Sequence, residues 1–373
     1  MTSKAFYTIV SCSYLNQAIT ASNSFKNHNK DFDVHIFIID LKEDLIINDE
    51  SFTIHSINEL KNQFPEIINF NSYYNIIETV CALKPYVAKF LLTNYDIVIY
   101  GDSDTYYYNL LDIELIDFTK GNFTPHRLIP SSKENSFSDE FDNSLIKYGF
   151  FNLGFFLLTK NDLIFLNWWI RKVTFECLYA PEQFLFVDQK WIDLAVNYFD
   201  LNILGDYSIN VGPWNLDERN ITKSSNSYFV NNIPLKMVHF SGINNLNSQS
   251  HISNYYSTYL SENSSLNNSI ALFKELGNFW LQKQNQTKLS YNELISKINL
   301  IEKINFNNSG FFKKTRLINK MKSNKPLSKD GLFFKAIDKI DFAFSKFDSY
   351  RFGRVHLISD IKKIKSLINC FKP

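Results

Sequence analysis

The stretch from Asp96 to Thr105, D-I-V-I-Y-G-D-S-D-T, constrains this chain more than any other. Ile97, Val98, Ile99 and Tyr100 form a short apolar run rich in β-branched residues. Gly101 breaks it immediately before two carboxylates at i and i+2. Such a run reads as a buried strand ending in a charged turn. In an open α/β sheet ligands collect outside the carboxyl ends of the strands, which puts Asp102 and Asp104 where a site is expected. Two oxygen ligands at this spacing can hold a hard divalent ion, and a metal there could neutralise a diphosphate. Spacing alone is weak, because a chain of this composition carries on the order of one Asp-x-Asp by chance. A second copy indeed stands at Asp31-Phe32-Asp33, but it precedes its strand instead of following it. Asp and Gly are also ordinary turn residues, so a turn without a metal stays open at this point.

The 373 residues, 45% of them hydrophobic, suffice for one large core and a smaller appended unit. Thirty-five Phe and 20 Tyr against 11 Gly and 9 Pro exclude collagenous and low-complexity chains. Cys12, Cys81, Cys177 and Cys370 form no C-x-x-C pair and no Cys/His group of zinc spacing. They read as reduced thiols in a reducing compartment. The apolar run Ala5 to Val10 is too short for a signal-peptide core, and no later stretch reaches the roughly 18 apolar residues of a membrane span. The expectation is a cytoplasmic protein, with a peripheral contact to the inner face of the cell membrane. The net charge of +1 hides an asymmetry: residues 301–373 carry 17 Lys and Arg against 6 Asp and Glu, a net of +11, and the rest carries −10.

Taken in order, Ala5 to Cys12 reads as a strand, Gln17 to Lys26 as a helix and Asp33 to Asp40 as a second strand, the start of a parallel α/β sheet. Ser72 is a plausible cap for a helix through Ala82, with Pro85 at the first position of another, Tyr86 to Leu92. Asn122 to Pro125 and Phe150 to Leu158 read as strands. Ser131 to Asp142 is polar, lacks an apolar period and reads as a mobile surface loop. Asp162 to Cys177 and Asp188 to Asn197 read as helices, Lys236 to Phe240 as a last strand, and the chain beyond Asn244 as helical, Asn-rich and then basic. Trp168, Trp169 and Trp191 read as core, and His126 as structural or an acceptor contact.

Six short motifs follow one another in an order that resembles family 8 of the glycosyltransferases: Ser11-Cys12-Ser13, Ala82-Leu83-Lys84-Pro85, Gly101-Asp102-Ser103-Asp104-Thr105, Phe151-Asn152-Leu153-Gly154, Val187-Asp188-Gln189 and Val238-His239-Phe240-Ser241-Gly242. The resemblance spans Ala5 to Gly242. It implies the GT-A fold, a Rossmann-like mixed sheet flanked by helices, in residues 1–245. Residues 246–373 then form a helical, basic C-terminal region. It further implies a retaining enzyme that uses a nucleotide sugar, usually a uridine diphosphate (UDP) sugar, with manganese or magnesium. Carried over by position, Asp102, Asp104 and His239 become metal ligands. Ser11, Cys12, Ser13, Lys84, Asp102, Ser103, Asn152 and Gly242 become donor contacts, and Asp188 and Gln189 the residues facing the transferred sugar. Two carboxylates, an imidazole and diphosphate oxygens suit six-coordinate manganese.

With two departures from the family pattern, the chain looks like a divergent bacterial branch. Ile243-Asn244-Asn245 follows Gly242 where the family commonly has Lys-Pro-Trp, so Lys84 or Arg219 is the cation left for the diphosphate. An additional Asn210-Val211-Gly212-Pro213-Trp214-Asn215 motif precedes the last strand. The expected acceptor is a glycan or lipid-linked molecule of surface polysaccharide or lipopolysaccharide synthesis. Basic and aromatic clusters after Asn305, beginning with Phe311-Phe312-Lys313-Lys314, suit an anionic membrane surface. A solvated helical face fits them as well. No nucleic-acid motif accompanies the charge. The rival readings are a nucleotide-sugar nucleotidyltransferase, which would want a Gly-rich phosphate loop after the first strand, and a non-catalytic GT-A-fold sugar-binding or scaffold protein.

Overall fold

The computed structural model describes residues 2–111, 116–117, 119–130, 136–242 and 264–323. The chain divides into two compact units, Met1–Asn308 and Ser309–Pro373.

In the first unit β1 (Lys4–Val10) leads into α1 (Leu15–His28) and β2 (Asp33–Ile38). The antiparallel pair β3 (Ile46–Asn48) and β4 (Thr53–Ser56) closes one sheet edge. After a short helical turn α2 (Phe70–Tyr73), α3 (Ile76–Leu91) delivers the chain to β5 (Ile97–Gly101). Then come β6 (Thr105–Tyr107), β7 (Asn122–Pro125), α4 (Ser136–Tyr148), β8 (Phe151–Thr159) and α5 (Leu163–Glu176). A tight hairpin, β9 (Tyr179–Ala180) and β10 (Leu185–Phe186), precedes α6 (Gln189–Tyr198) and β11 (Asn202–Ile203). A small meander of β12 (Ile221–Ser224), β13 (Ser227–Val230) and β14 (Ile233–Pro234) leads to β15 (Met237–His239).

Eight strands form one mixed sheet in the order β11-β7-β8-β5-β1-β2-β4-β3. β1 runs parallel to both β2 and β5, whereas β8 is antiparallel to β5 and β7. The expected Rossmann-like mixed sheet flanked by helices is therefore present. Every residue of β5 and β8 is buried, as strands covered on both faces must be.

α3 shows how local and tertiary demands combine. Asn75 and Glu78 form a capping box, each side chain accepting from the other's backbone N–H at 2.9 Å. The cap is thus Asn75 and not Ser72, and Pro85 lies inside one continuous helix instead of opening a second. Pro85 costs the helix one N–H, but Ala82, Leu83, Tyr86, Val87 and Ala88 around it are all buried, and that burial outweighs the lost bond. The polar stretch expected to be a loop is also corrected. Residues 136–142 belong to α4, while 131–135 lie outside the described residues. The last turn of α4 packs on the β9–β10 hairpin, with the Tyr148 and Phe186 rings 5.2 Å apart, and tertiary packing of this kind overrides a weak local pattern.

The chain after the sheet joins the same unit. In α7 (Ser264–Ser290) Ile270, Phe273, Leu276 and Trp280 are buried with Val211, Leu216, Val238 and Phe240 in a second core cluster. α8 (Asn292–Leu300) follows, and residues 302–304 run beside Asp40–Lys42, just after β2, where the Ile304 N–H donates to the Asp40 carbonyl at 2.7 Å. The first compact unit runs to Asn308. Of the second unit, α9 (Phe311–Ser323) is described, and it carries Phe311-Phe312-Lys313-Lys314; the later basic clusters lie outside the described residues. Among the described residues no helix is long and apolar enough to cross a membrane.

Candidate active site

Gly101 ends β5 where nothing larger fits: a Cβ there would lie 2.5 Å from the Tyr107 hydroxyl and 2.8 Å from the Phe6 ring. The turn beyond it is pinned by backbone. The Asp102 N–H donates to the Gly154 carbonyl at 2.9 Å, and the Thr105 hydroxyl donates to the Asp102 carbonyl at 2.7 Å. β6 then pairs antiparallel with β15, setting Thr105 opposite His239, and the Phe240 N–H donates to the Asp104 carbonyl at 2.8 Å. This register brings two segments more than 130 residues apart to one point.

There Asp102, Asp104 and His239 each offer a ligand atom, all within 4.8 Å of one another. His239 Nε2 is 3.0 Å from Asp104 Oδ1 and 3.8 Å from Asp102 Oδ2. Burial opposes charge on both His239 and Asp104, yet their mutual attraction wins, so the imidazole is pushed up and the carboxyl down from their ordinary values. Asp102 also accepts from the Tyr100 hydroxyl.

Lys84, buried on α3, joins this group to a third carboxylate. Its Nζ donates to the Leu153 carbonyl at 3.0 Å and lies 3.6 Å from Asp102 Oδ1, 3.3 Å from Asp188 Oδ2 and 4.7 Å from the Tyr100 ring centre. Burial works against its charge, but Asp102 and Asp188 outweigh it and hold the ammonium above its usual range. Asp188 is fully buried ahead of α6. Burial raises its carboxyl, opposed by Lys84. Gln189, in the first turn of α6, donates from Nε2 to the Tyr148 carbonyl at 2.8 Å.

The remaining residues singled out from sequence fall into separate places. Ser11, Cys12 and Ser13 stand where β1 ends. The Ser11 hydroxyl is buried without a hydrogen-bond partner among the described residues, and the Cys12 N–H donates to Asp40 at 2.9 Å. Burial, reinforced by Asp40, pushes the Cys12 thiol up to about 12. Cys12, Cys81 and Cys177 are free thiols. Ser103 lies half-buried in the turn between Asp102 and Asp104. Gly242 follows β15 with φ +73° and open space where a Cβ would point. Asn152, in β8, spends its side-chain oxygen on the Gly154 N–H at 3.0 Å. Arg219 is buried with its Nε 3.5 Å from Glu218 and donates to the carbonyls of Tyr207 and Ile209, whereas Lys84 stands beside Asp102.

Several further participants carry no signal of their own at the level of residue type and spacing. Asn210 turns its side-chain Oδ1, an acceptor, to His239 Nδ1 at 3.0 Å, and is held in the left-handed region at φ 60°. Gly154 lies under the His239 ring so closely that a Cβ would come within 2.3 Å of it. Trp214 meets that ring edge-on, with centres 5.2 Å apart. For Asn210 and Trp214 the sequence signal is the Asn210–Asn215 motif, whose Asn and Gly tolerate conformations other residues avoid; for Gly154 it is the Phe151–Gly154 motif.

No protein-family model matches this chain. No curated protein matches it. Among solved structures it resembles the galactosyltransferase LgtC in complex with donor and acceptor sugar analogs, at 15% identity over 69% of this chain and 95% of that one, with a TM-score of 0.38. It also resembles mouse xyloside xylosyltransferase 1 in its apo form, at 11% identity over 65% and 98% of the two chains and a TM-score of 0.40. The third is the glycosyltransferase GlyE of Streptococcus pneumoniae TIGR4, at 14% identity over 84% and 67% and a TM-score of 0.39. None of these three TM-scores reaches 0.5, so the functional reading rests on the geometry of this chain.

Proposed function

We propose that this chain is a metal-dependent glycosyltransferase of GT-A type that takes a nucleotide-diphosphate sugar, UDP-linked, and passes the sugar with retention to a glycan or lipid-linked acceptor of bacterial surface polysaccharide or lipopolysaccharide. The carrying observation is the convergence of Asp102, Asp104 and His239 at the carboxyl end of a central strand. Two carboxylate oxygens and an imidazole nitrogen are the donor set that manganese or magnesium accepts, with room left for diphosphate oxygens. The metal, when bound, offsets charge developing on the leaving diphosphate.

The chain's own residues supply the rest. Lys84 adds a fixed, desolvated positive charge beside Asp102, where it favours an anionic leaving group. Ser11, Cys12 and Ser13, at the end of β1, serve the nucleoside, and Ser103, Asn152 and Gly242 border the donor. Asp188 and Gln189 face the transferred sugar. Asp188 is buried and committed to Lys84 at 3.3 Å, which favours same-face attack over a glycosyl-carboxylate intermediate. In that course the departing phosphate oxygen takes the acceptor's proton as the new glycosidic bond forms. Trapping a glycosyl adduct on Asp188 would overturn this part of the reading. The basic, aromatic α9 suits a peripheral contact with an anionic membrane.

The experiment is a thermal-shift series with nucleoside diphosphates and nucleotide sugars, with and without manganese. UDP is expected to stabilise the wild type only with metal, and not to stabilise Asp104→Ala. Equal stabilisation of the variant would remove the metal from the reading.

A further inference from the structure

The polarity of a hydrogen-bonded chain behind the metal-ligand candidates determines which nitrogen of His239 is bare, and it starts from a backbone amide. The Gly154 N–H can only donate, so the Asn152 atom 3.0 Å from it is the side-chain oxygen. That oxygen also lies 3.1 Å from the Asn210 side chain, which must therefore present its NH₂ there. The second NH₂ proton of Asn210 has its own acceptor, the Thr124 hydroxyl at 2.9 Å; that hydroxyl in turn faces the carbonyls of Asn152 and Phe155 at 2.8 and 2.9 Å. With both amide protons committed, Asn210 turns its oxygen to His239 Nδ1 at 3.0 Å, and Nδ1 must carry the hydrogen. In the neutral imidazole, Nε2 is then the lone-pair nitrogen, and Nε2 is the atom that faces Asp104 and Asp102.

The other end of the chain agrees. The Asn152 NH₂ points at His126 Nε2, 3.4 Å away, while His126 Nδ1 lies 3.3 Å from the Phe150 carbonyl. Burial holds His126 down to about 4, which keeps it neutral, able to accept at one nitrogen and donate at the other. Asn210 is itself immobilised. It is fully buried, its carbonyl accepts from the Asn215 NH₂ at 3.1 Å, and the next residue, Val211, is bridged to β15, with the His239 N–H donating to the Val211 carbonyl at 2.8 Å. Gly154, with no Cβ, leaves the space in which the ring lies against β8.

We infer that Asn210 and Asn152 are positioning residues that lock His239 as the Nδ1–H tautomer and so present Nε2 to a divalent cation. Metal-bound histidines characteristically donate their other nitrogen to a fixed acceptor, and removing that acceptor costs about 10–100-fold in metal affinity. The inference rests on the metal reading of Asp102, Asp104 and His239, but its direct readout needs no metal.

The test is nitrogen-15 histidine NMR of the metal-free full chain through a pH titration, together with manganese affinity by calorimetry. In the wild type, deprotonation is expected at Nε2 with Nδ1 retaining its hydrogen. Asn210→Ala and Asn152→Ala are expected to release the tautomer and weaken manganese binding about 10–100-fold. Asn152→Asp, which keeps an acceptor for both Gly154 and Asn210, should restore the wild-type tautomer. A merely structural role would weaken binding without moving the proton. A wild-type His239 protonated at Nε2 when neutral, or a tautomer unchanged in both alanine variants, would overturn the inference. The Nδ1–H tautomer in a wild type that binds no manganese would sink the metal reading and leave the positioning intact.

Discussion

Asp31-Phe32-Asp33 and Asp102-Ser103-Asp104 carry the same two carboxylates at the same spacing, and each has a lysine beside it. At the amino end of β2 the charges are settled one by one: Asp31 meets Lys4 at 2.7 Å on the surface, and Asp33 accepts from the Tyr95 hydroxyl at 2.9 Å. At the carboxyl end of β5 they are pooled. Asp102 and Asp104 share His239, and the buried Lys84 spans Asp102 and Asp188. What separates a turn from a candidate active site is thus the direction of the strand, because the strand's carboxyl end is where neighbouring loops and crossing segments converge.

Four measurements distinguish the two carboxylate pairs and their surroundings. The largest expected effect is on turnover: Asp104→Ala should cost on the order of a thousandfold, while Asp33→Ala should leave the rate within about twofold. A steady-state assay with a nucleotide sugar and manganese measures both, and equal losses would erase the distinction. Next comes Lys84→Met, which strands buried Asp188 without its cation and should lower stability by about 3–5 kcal/mol. Chemical denaturation reads this, and adding Asp188→Asn should recover part of the loss as a coupling energy.

The third concerns pH at the amino end. Burial, with His55 3.0 Å away, holds His35 down to about 4, while the nearby Asp33 pulls the other way. Tyr95 and, beyond His55, Glu59 complete the set of groups in this hydrogen-bonded row. A histidine depressed below its unfolded value of 6.5 contributes stability that is fully present above pH 6.5 and is lost as pH falls toward 4. The loss should approach about 3 kcal/mol, and denaturation of His35→Gln should show a flatter profile across that window. The smallest effect belongs to Lys4→Met. Its partner Asp31 is more than half exposed, so the cost should stay within about 0–1 kcal/mol; a loss as large as that of Lys84→Met would show the two lysines to be equivalent.

Much of the sheet is legible in the amino-acid sequence. β1, α1, β2, β5, β7, β8, α5, α6 and β15 lie within a few residues of where periodicity and turn residues put them, because those signals are local. Pro85 misleads because its cost is local while the burial that offsets it is not. The loop expected from Ser131 to Asp142 misleads for the same reason, since contacts with β9–β10 support α4. Asn210 is visible in the sequence only as part of an unexplained motif. Its partners Asn152, Thr124 and His239 lie 58, 86 and 29 residues away, and no spacing rule reaches that far.

By itself the sequence determined that Asp102 and Asp104 follow a buried strand, since an apolar run and a breaking glycine act within a few residues. That Lys84 stands between Asp102 and Asp188, that β15 lays His239 against Asp104, and that Asn210 turns its oxygen to Nδ1 were decided only by tertiary structure. The physical reason is that strand register and desolvation are set by segments far apart in the chain, which meet only once the core has closed around them.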